Sequence, residues 1–183
     1  MLPRSLARIN TVLMLHSAGP LALADIARAA GLAYTPAESA LATLAGRGLV
    51  TRVSRAGRER YGPDTGSPYY PMAYLTALVD LPLAGAFGDE RISVAHAYGP
   101  LARPGGATKG IDLNLFLVGQ IHDLPAMLTR LALMGARLGR AVVPFVLTDD
   151  ELEQAQRHGD GHVAAALAGV RLLGRDPTAG ATP

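Results

Sequence analysis

The chain has 183 residues, enough for one medium domain or two small ones, and 49% of them are hydrophobic, an ordinary share for a globular protein. It contains no cysteine, which excludes disulfides and thiolate metal sites and is compatible with a reducing cytoplasm. No apolar run is long enough to cross a membrane, and the N-terminal residues lack the apolar core of a signal peptide. We therefore expect a cytoplasmic protein that does not enter a membrane.

Charge is distributed unevenly along the chain. Residues 1–62 hold eight arginines against three carboxylates, a net of +5, whereas the remainder holds nine cations against twelve carboxylates, a net of −3. A basic N-terminal part on a mildly acidic body is typical of a protein whose N-terminal part binds a polyanion.

The N-terminal third of the chain predicts three helices. Apolar residues recur at helical spacing over residues 3–17 and again over residues 23–30, where Gly31 ends the pattern. The third helix is expected to begin at Thr35, whose hydroxyl would cap the helix N-terminus, and Glu38 would reach back to complete a capping box.

A basic hairpin is expected to follow the third helix. Residues 49–54 and 58–61 predict two short strands around a turn that contains Gly57. Helix, turn, helix and hairpin is the order of a winged helix, and residues 23–61 resemble the winged helix-turn-helix of small bacterial repressors of the ArsR/MarR type. The resemblance implies binding of double-stranded DNA, with the third helix in the major groove, by a homodimer that reads two half-sites.

Eight residues of this N-terminal domain are the predicted DNA contacts. With Leu41 and Leu44 facing the core, the third helix presents small polar side chains and one cation, which suit base edges and phosphates. The hairpin adds four arginines for phosphate or minor-groove contacts, although an ordinary solvated hairpin is the alternative. The predicted contacts are Thr35, Ser39, Thr43, Arg47, Arg52, Arg55, Arg58 and Arg60.

The rest of the chain predicts a second domain behind a connecting segment. A winged helix over residues 1–62 is expected to lead through a linker and connecting helix over 63–88, in which Pro82 interrupts the helical spacing, to a domain over 89–175. Residues 176–183 are expected to be a frayed tail. The predicted fold class is α+β, a winged helix followed by a small α/β domain with a short mixed sheet.

Strands and helices alternate in the second domain. Its predicted strands cover 91–98, 111–118, 141–147 and 170–173, and its predicted helices cover 123–137, a segment opened by a capping box at Thr148 and Glu151, and a last helix capped by Asp160. The helix over 123–137 is expected to have Leu124, Leu128, Leu131 and Leu138 on one side, as its apolar face.

A second motif spans the first two strands of this domain. It reads Tyr98-Gly99-Pro100-Leu101-Ala102-Arg103-Pro104-Gly105, then Lys109-Gly110-Ile111-Asp112-Leu113. This strand–loop–strand resembles the minimal nucleotidyltransferase fold of the polymerase-beta superfamily, whose pattern is Gly-Ser, an Ala-Arg-Gly-like turn, then Ser-Asp-x-Asp. The resemblance extends to about Arg175 and implies transfer of a nucleotide from a nucleoside triphosphate by Mg²⁺ ions that clustered carboxylates hold.

The decisive positions of that pattern are changed. Pro100 stands in place of the serine, which removes a hydroxyl and an N–H donor, and Gly110 stands in place of the first aspartate. Gly99, Arg103 and Asp112 remain as a residual motif, and Asp112 is expected to pair with Arg103 or to cap a turn. One carboxylate is a poor anchor for Mg²⁺, so we expect a pseudoenzyme with no catalytic residues, metal site or cofactor.

The sequence therefore predicts a dimeric transcriptional regulator whose nucleotidyltransferase-like domain serves for dimerisation or for sensing a small-molecule or nucleotide effector. Two alternatives stay open. One is an active nucleotidyltransferase that uses Mg²⁺ and a nucleoside triphosphate, with the winged helix as a docking module. The other is a protein-interaction adaptor. Either the apolar segment 72–83 or the sheet domain would supply the dimer interface.

Overall fold

The computed structural model describes residues 3–55, 57–105 and 110–174, except for the side chain of Arg55. The helices are α1 (Arg4–Leu15), α2 (Leu23–Ala30), α3 (Tyr34–Gly46), α4 (Tyr70–Val79), α5 (Leu83–Phe87), α6 (Leu124–Arg137), α7 (Asp149–Arg157) and α8 (Gly161–Leu167). The strands are β1 (Val50–Arg55), β2 (Arg58–Pro63), β3 (Arg91–Tyr98), β4 (Leu113–Gln120), β5 (Val142–Leu147) and β6 (Val170–Leu173). The α+β fold class is confirmed, and the predicted tail lies outside the described residues.

Helices α1 to α3 and the β1–β2 hairpin form an N-terminal domain around one aliphatic core, whose most buried members include Ile9, Ile26 and Leu44. Residue Gly31 ends α2 in the left-handed conformation, with φ 63°, as its place after the apolar pattern predicts. The hairpin is extended by a short third pairing, because Leu21 and Tyr61 exchange two backbone hydrogen bonds of 2.9 and 2.8 Å. These bonds fix the hairpin against the segment between α1 and α2.

The predicted start of α3 is wrong. The helix begins at Tyr34 after Ala33, no side chain caps it, and Thr35 lies inside the first turn, so neither the Thr35 cap nor the capping box with Glu38 forms. The N–H of Ala37 donates to the Ala33 carbonyl at 3.2 Å, which closes a turn ahead of the expected cap. Pro36 tolerates this earlier start because N–H groups of a first helical turn have no intrahelical partner.

The second half of the chain is built on a four-stranded mixed sheet in the order β5-β4-β3-β6, in which only β4 and β5 run parallel. Alternate residues of β4 pack on opposite faces. Leu115 and Leu117 join the larger core with α4, α5 and α6, whereas Phe116 and Val118 join a smaller core with α7 and α8. Pro144 lies in β5, at an edge of the sheet, where its missing N–H is tolerated.

Helix α6 buries a different face from the one predicted. Met127, Leu131, Met134 and Leu138 are buried, whereas Leu124 and Leu128 are 45% and 41% exposed, so the prediction for those two leucines is wrong. Both sets have helical spacing and share Leu131 and Leu138. Periodicity favoured the set made only of leucines, but the flexible methionines fill the core instead.

The connecting segment and the starts of α7 and α8 follow the sequence closely. Pro82 separates the predicted connecting helix into α4 and α5. Thr148 and Glu151 form the predicted capping box of α7, and the Asp160 carboxylate accepts from two N–H groups at the start of α8. Among the described residues, no helix combines the length and apolarity needed to cross a membrane.

Helix α1 belongs to both halves of the molecule. Its early residues lie in the N-terminal core, but Met14 and Leu15 lie in the core under the four-stranded sheet. The buried Asn10 amide donates to the Ala73 carbonyl of α4 at 2.9 Å, and the Ser17 N–H donates to the Leu138 carbonyl at 3.1 Å. The two halves are therefore joined through α1 as well as through the connecting segment.

Candidate nucleic-acid interface

The outer face of α3 is polar and open, as the helix periodicity predicts. Thr35, Ser39, Thr43 and Arg47 are exposed, while the opposite face is buried in the N-terminal core. The Thr43 hydroxyl donates to the Ser39 carbonyl at 2.9 Å, so its hydrogen is used within the helix and its oxygen remains as an acceptor. Small side chains on this face would allow the helix backbone to approach a groove closely.

Two of the four predicted hairpin arginines are already engaged. Arg52 forms an ion pair with Glu59, and the Tyr61 hydroxyl donates to the same carboxylate at 2.9 Å. Arg60 is half-buried and donates to the Pro20 carbonyl at 3.4 Å. These contacts hold both guanidinium groups against the hairpin and the α1–α2 segment.

The tip of the hairpin is the open cationic position. Arg58 is exposed and follows Gly57, which turns the chain with φ 72°. The strand register pairs position 55 with position 58, so the sequence places arginines at facing positions. The side chain of Arg55 lies outside the described part of the chain.

The α3 face and the hairpin are close neighbours in the fold. Gly48, with φ 67°, reverses the chain after α3, and the Leu49 N–H donates to the Leu44 carbonyl at 3.1 Å. Strand β1 begins at the next residue. Arg47 lies at this reversal, so its charge is next to both the end of α3 and the start of the hairpin. Among the ion pairs of the described residues, none includes Arg47 or Arg58.

The Gly99–Asp112 segment, which the sequence compares with the transferase pattern, lies beside the four-stranded sheet. Gly99 has φ 78°, and a Cβ at this position would lie 2.9 Å from Asn114 Nδ2. Only glycine fits without moving that amide. Pro100 opens a short 3₁₀ turn that ends at Ala102, and the Tyr74 hydroxyl donates to the buried Leu101 carbonyl at 2.9 Å. Burial, followed by the neighbouring Tyr70, raises the pKa of Tyr74 to about 12.

Asp112 and Asn114 lie two residues apart at the start of β4. Gly110 adopts φ 70° in a turn before β4, whereas Asp112 directly precedes the strand and Asn114 is its second residue. Alternation along a strand puts residues two apart on one side, so the pair at the strand start is Asp112 and Asn114. The match of Gly110 to the first aspartate of the transferase pattern stays a prediction, and Asn114 was missed because only carboxylates were sought.

The predicted pairing of Asp112 with Arg103 is absent from the ion pairs of the described residues. Arg103 is exposed. Arg140 is largely buried and donates to the Ile111 carbonyl at 2.6 Å; burial lowers the pKa of Arg140, while Tyr74 and Asp112 raise it.

The donor set does not fit the two Mg²⁺ ions of a nucleotidyltransferase. Asp112 and Asn114 supply one carboxylate and one amide, and β5 has the apolar sequence Val-Val-Pro-Phe-Val-Leu. Across the part of the chain that the structure describes, no three acidic or histidine residues form a group that could hold a metal.

Comparisons of the chain with protein-family models, with curated proteins and with solved structures found no match. Function is therefore inferred from the geometry and charge of this chain.

Proposed function

We propose that the protein is a DNA-binding transcriptional regulator of the cytoplasm, related in organisation to the winged helix-turn-helix repressors. The observation that carries this proposal is the junction of an exposed, small-residue face of α3 with Arg47 and the open hairpin tip at Arg58. Both belong to a domain with a net charge of +5 over residues 1–62, from eight arginines and three carboxylates. Groove access and phosphate contacts are the two requirements of such a reader.

The engaged and the open arginines have different roles in this proposal. Arg47 and Arg58 contact phosphates, while Ser39 and Thr43 lie near base edges in the major groove. Arg52 and Arg60 hold the hairpin in shape, because their guanidinium groups are committed to Glu59 and to Pro20. With so few base-reading side chains, affinity is dominated by phosphate contacts and is strongly salt-dependent.

The second half of the chain acts in this proposal as a nucleotidyltransferase-like scaffold without transferase activity. Pro100 lacks the hydroxyl and N–H that would cradle a phosphate, and Asp112 has an amide rather than a carboxylate two positions on. A Mg²⁺-dependent incorporation assay with labelled nucleoside triphosphates is expected to show no product. Incorporation that Asp112→Ala abolishes would instead establish the enzymatic alternative.

A homodimer would place two basic domains on one duplex, and α4 is the favoured interface. Helix α4 has no charged residue between Tyr70 and Val79, and Met72 and Val79 are 71% and 52% exposed. Exposed apolar patches of this kind mark interaction sites. The sheet edge at β5 is less suitable, because Pro144 removes a donor that strand pairing needs.

DNA binding is tested by titrating labelled duplex DNA of random sequence at several salt concentrations. Arg58→Ala and Arg47→Ala are each expected to lower the affinity and to reduce the slope of log affinity against log salt by about 0.9 for each phosphate that is no longer neutralised. Arg171→Ala removes an exposed arginine from β6 and is the matched control, which should bind as wild type. Absence of salt-dependent binding, or equally weakened binding in all three variants, would contradict the proposal.

The dimer is tested by light scattering on the purified protein. Met72→Lys and Val79→Lys are expected to give monomers, because a charge in an apolar interface must be desolvated. Leu133 on α6 is 61% exposed, so Leu133→Lys makes the same change away from α4 and should leave the dimer intact. A monomeric wild type would refute the dimer without bearing on DNA contact by a single copy.

A further inference from the structure

A cavity lies between the two halves of the molecule, on α1, α2 and α6. Its volume is about 530 Å³, within the range of pockets that hold small organic molecules. Arg4 and Arg8 of α1 and Arg137 of α6 line it, together with the carboxylate residue Asp80 after α4. We refer to this cavity, with its three arginines and Asp80, as the arginine groove.

The arginine groove has a surplus of positive charge. Its lining holds three arginines and one aspartate, all four exposed, and no ion pair of the described residues includes any of these side chains. Arg8 Nη1 donates a long hydrogen bond of 3.4 Å to the Gly31 carbonyl. Each guanidinium carries five N–H donors, so most of this donor capacity is open to a ligand.

The arrangement brings like charges close together, which an anion would relieve. Arg4 and Arg8 are four residues apart on one helix, a spacing at which like charges destabilise the helix. Arg137 lies in the last turn of α6, where the helix dipole favours a cation, but that dipole does not account for two more arginines on the neighbouring helix. An anion in the groove would compensate all three charges together.

The wall of the groove adds a second requirement. Ala7 and Ala29 are partly exposed, Pro82 is exposed, and all three line the same cavity beside the arginines, so they present apolar surface to it. A simple inorganic anion would leave this apolar surface uncovered. A molecule with an anionic end and an apolar or planar body would satisfy both parts of the groove.

We propose that the arginine groove binds a small organic phosphate, with the phosphate held by Arg4, Arg8 and Arg137 and the organic body against Ala7, Ala29 and Pro82. Three cations and one carboxylate leave a surplus of two charges, which matches a phosphate monoester near neutral pH. Forked guanidinium groups suit phosphate oxygens. This site goes beyond the proposed DNA contacts, which use α3 and the hairpin, and it does not depend on them.

Such a ligand would connect the two halves, because its phosphate would touch α1 and α6 at once. Ligand that binds only the folded protein raises the thermal midpoint in a concentration-dependent way. The groove is therefore a binding site for an effector that is separate from the Gly99–Asp112 segment at the sheet.

The experiment measures binding to the full chain by calorimetry, in EDTA and without DNA. Phenyl phosphate serves as the probe, inorganic phosphate carries the charge alone and benzyl alcohol carries the ring alone. Phenyl phosphate is expected to bind most tightly and benzyl alcohol not at all. Arg8→Gln and Arg137→Gln should each weaken the binding of phenyl phosphate by about tenfold, which is the effect expected when one hydrogen bond from a charged group is removed.

Two further variants make the test independent of whether the arginine variants fold well. Asp80→Asn removes the opposing carboxylate and should strengthen binding several-fold, while Arg171→Gln alters an exposed arginine outside the groove and should change nothing. The proposal is overturned if phenyl phosphate does not bind, if inorganic phosphate binds equally well, or if Arg171→Gln weakens binding as much as Arg8→Gln. It is also overturned if the groove variants weaken the binding of duplex DNA while phenyl phosphate does not bind, since the arginines would then contact the DNA backbone. Weaker DNA binding caused by changes elsewhere would leave the phosphate result unaffected.

Discussion

If the hairpin contacts DNA as proposed, Glu59 should lower its DNA affinity through the partners that its carboxylate engages. That carboxylate pairs with Arg52 and accepts the Tyr61 hydroxyl at 2.9 Å. Glu59→Gln keeps the side-chain volume and an amide oxygen for Tyr61, but it removes a negative charge and frees Arg52 to contact phosphate. We therefore expect Glu59→Gln to bind duplex DNA more tightly than wild type at low salt.

The size of the effect follows from counterion release. One additional phosphate contact steepens the slope of log affinity against log salt by about 0.9. Lowering the salt from about 200 mM to about 50 mM then raises the affinity of the variant by about 3.5-fold more than it raises that of wild type. Two such contacts in a homodimer would increase it by about 12-fold. The free energy of unfolding should change little, because exposed ion pairs contribute about 0–1 kcal/mol.

The assay is a fluorescence-anisotropy titration of duplex DNA at four salt concentrations. Glu153→Gln is the matched control, because Glu153 forms a similarly exposed pair with Arg157 at 3.6 Å on the second half of the chain. The double variant Arg52→Gln/Glu59→Gln should return to the wild-type slope. An unchanged slope in Glu59→Gln, or an equal increase in Glu153→Gln, would refute the assignment of the hairpin as the DNA contact.

Three further predictions concern stability and are checked by urea denaturation. Tyr74→Phe should lower the free energy of unfolding by about 1–3 kcal/mol, because it leaves the buried Leu101 carbonyl without its 2.9 Å hydrogen bond; no change would show that water replaces the hydroxyl. Thr148→Ala should lower the free energy of unfolding by about 1 kcal/mol because it removes the capping box, and Thr148→Ser, which keeps the hydroxyl, should lower it much less. Burial, then Arg140, lowers the pKa of His16, so the unfolded chain binds the proton more readily and stability should fall as pH drops below about 6.5. His16→Gln should flatten that dependence, and an equally steep curve in the variant would assign the dependence to other groups.

Much of the fold could be predicted because its elements carry local signals. The Gly31 helix end, the Thr148 capping box and the break at Pro82 each depend on residues adjacent in sequence. The errors arose where two local signals competed. Pro36 suited both an early and a late start of α3, and α6 offered two apolar faces at the same spacing. Packing against the rest of the chain decided between them.

The candidate sites were predictable to different extents. The exposed face of α3 follows from helix geometry alone, so Ser39 and Thr43 were placed correctly on the outside. The engagement of Arg60 with Pro20 depends on the pairing of β2 with the α1–α2 segment, which no local pattern encodes. The arginine groove combines α1 with α6, more than a hundred residues later in the chain, and only the folded chain brings them together. The winged-helix and transferase resemblances stay predictions.

The sharing of α1 between two cores constrains how this chain can be cut or recombined. A fragment that ends after β2 would expose Met14 and Leu15, which the second half covers. A chimaera that receives a foreign DNA-reading module must therefore retain the last turn of α1, or supply equivalent apolar residues. In a force-unfolding experiment, the two halves should therefore unfold in one event rather than in two independent events.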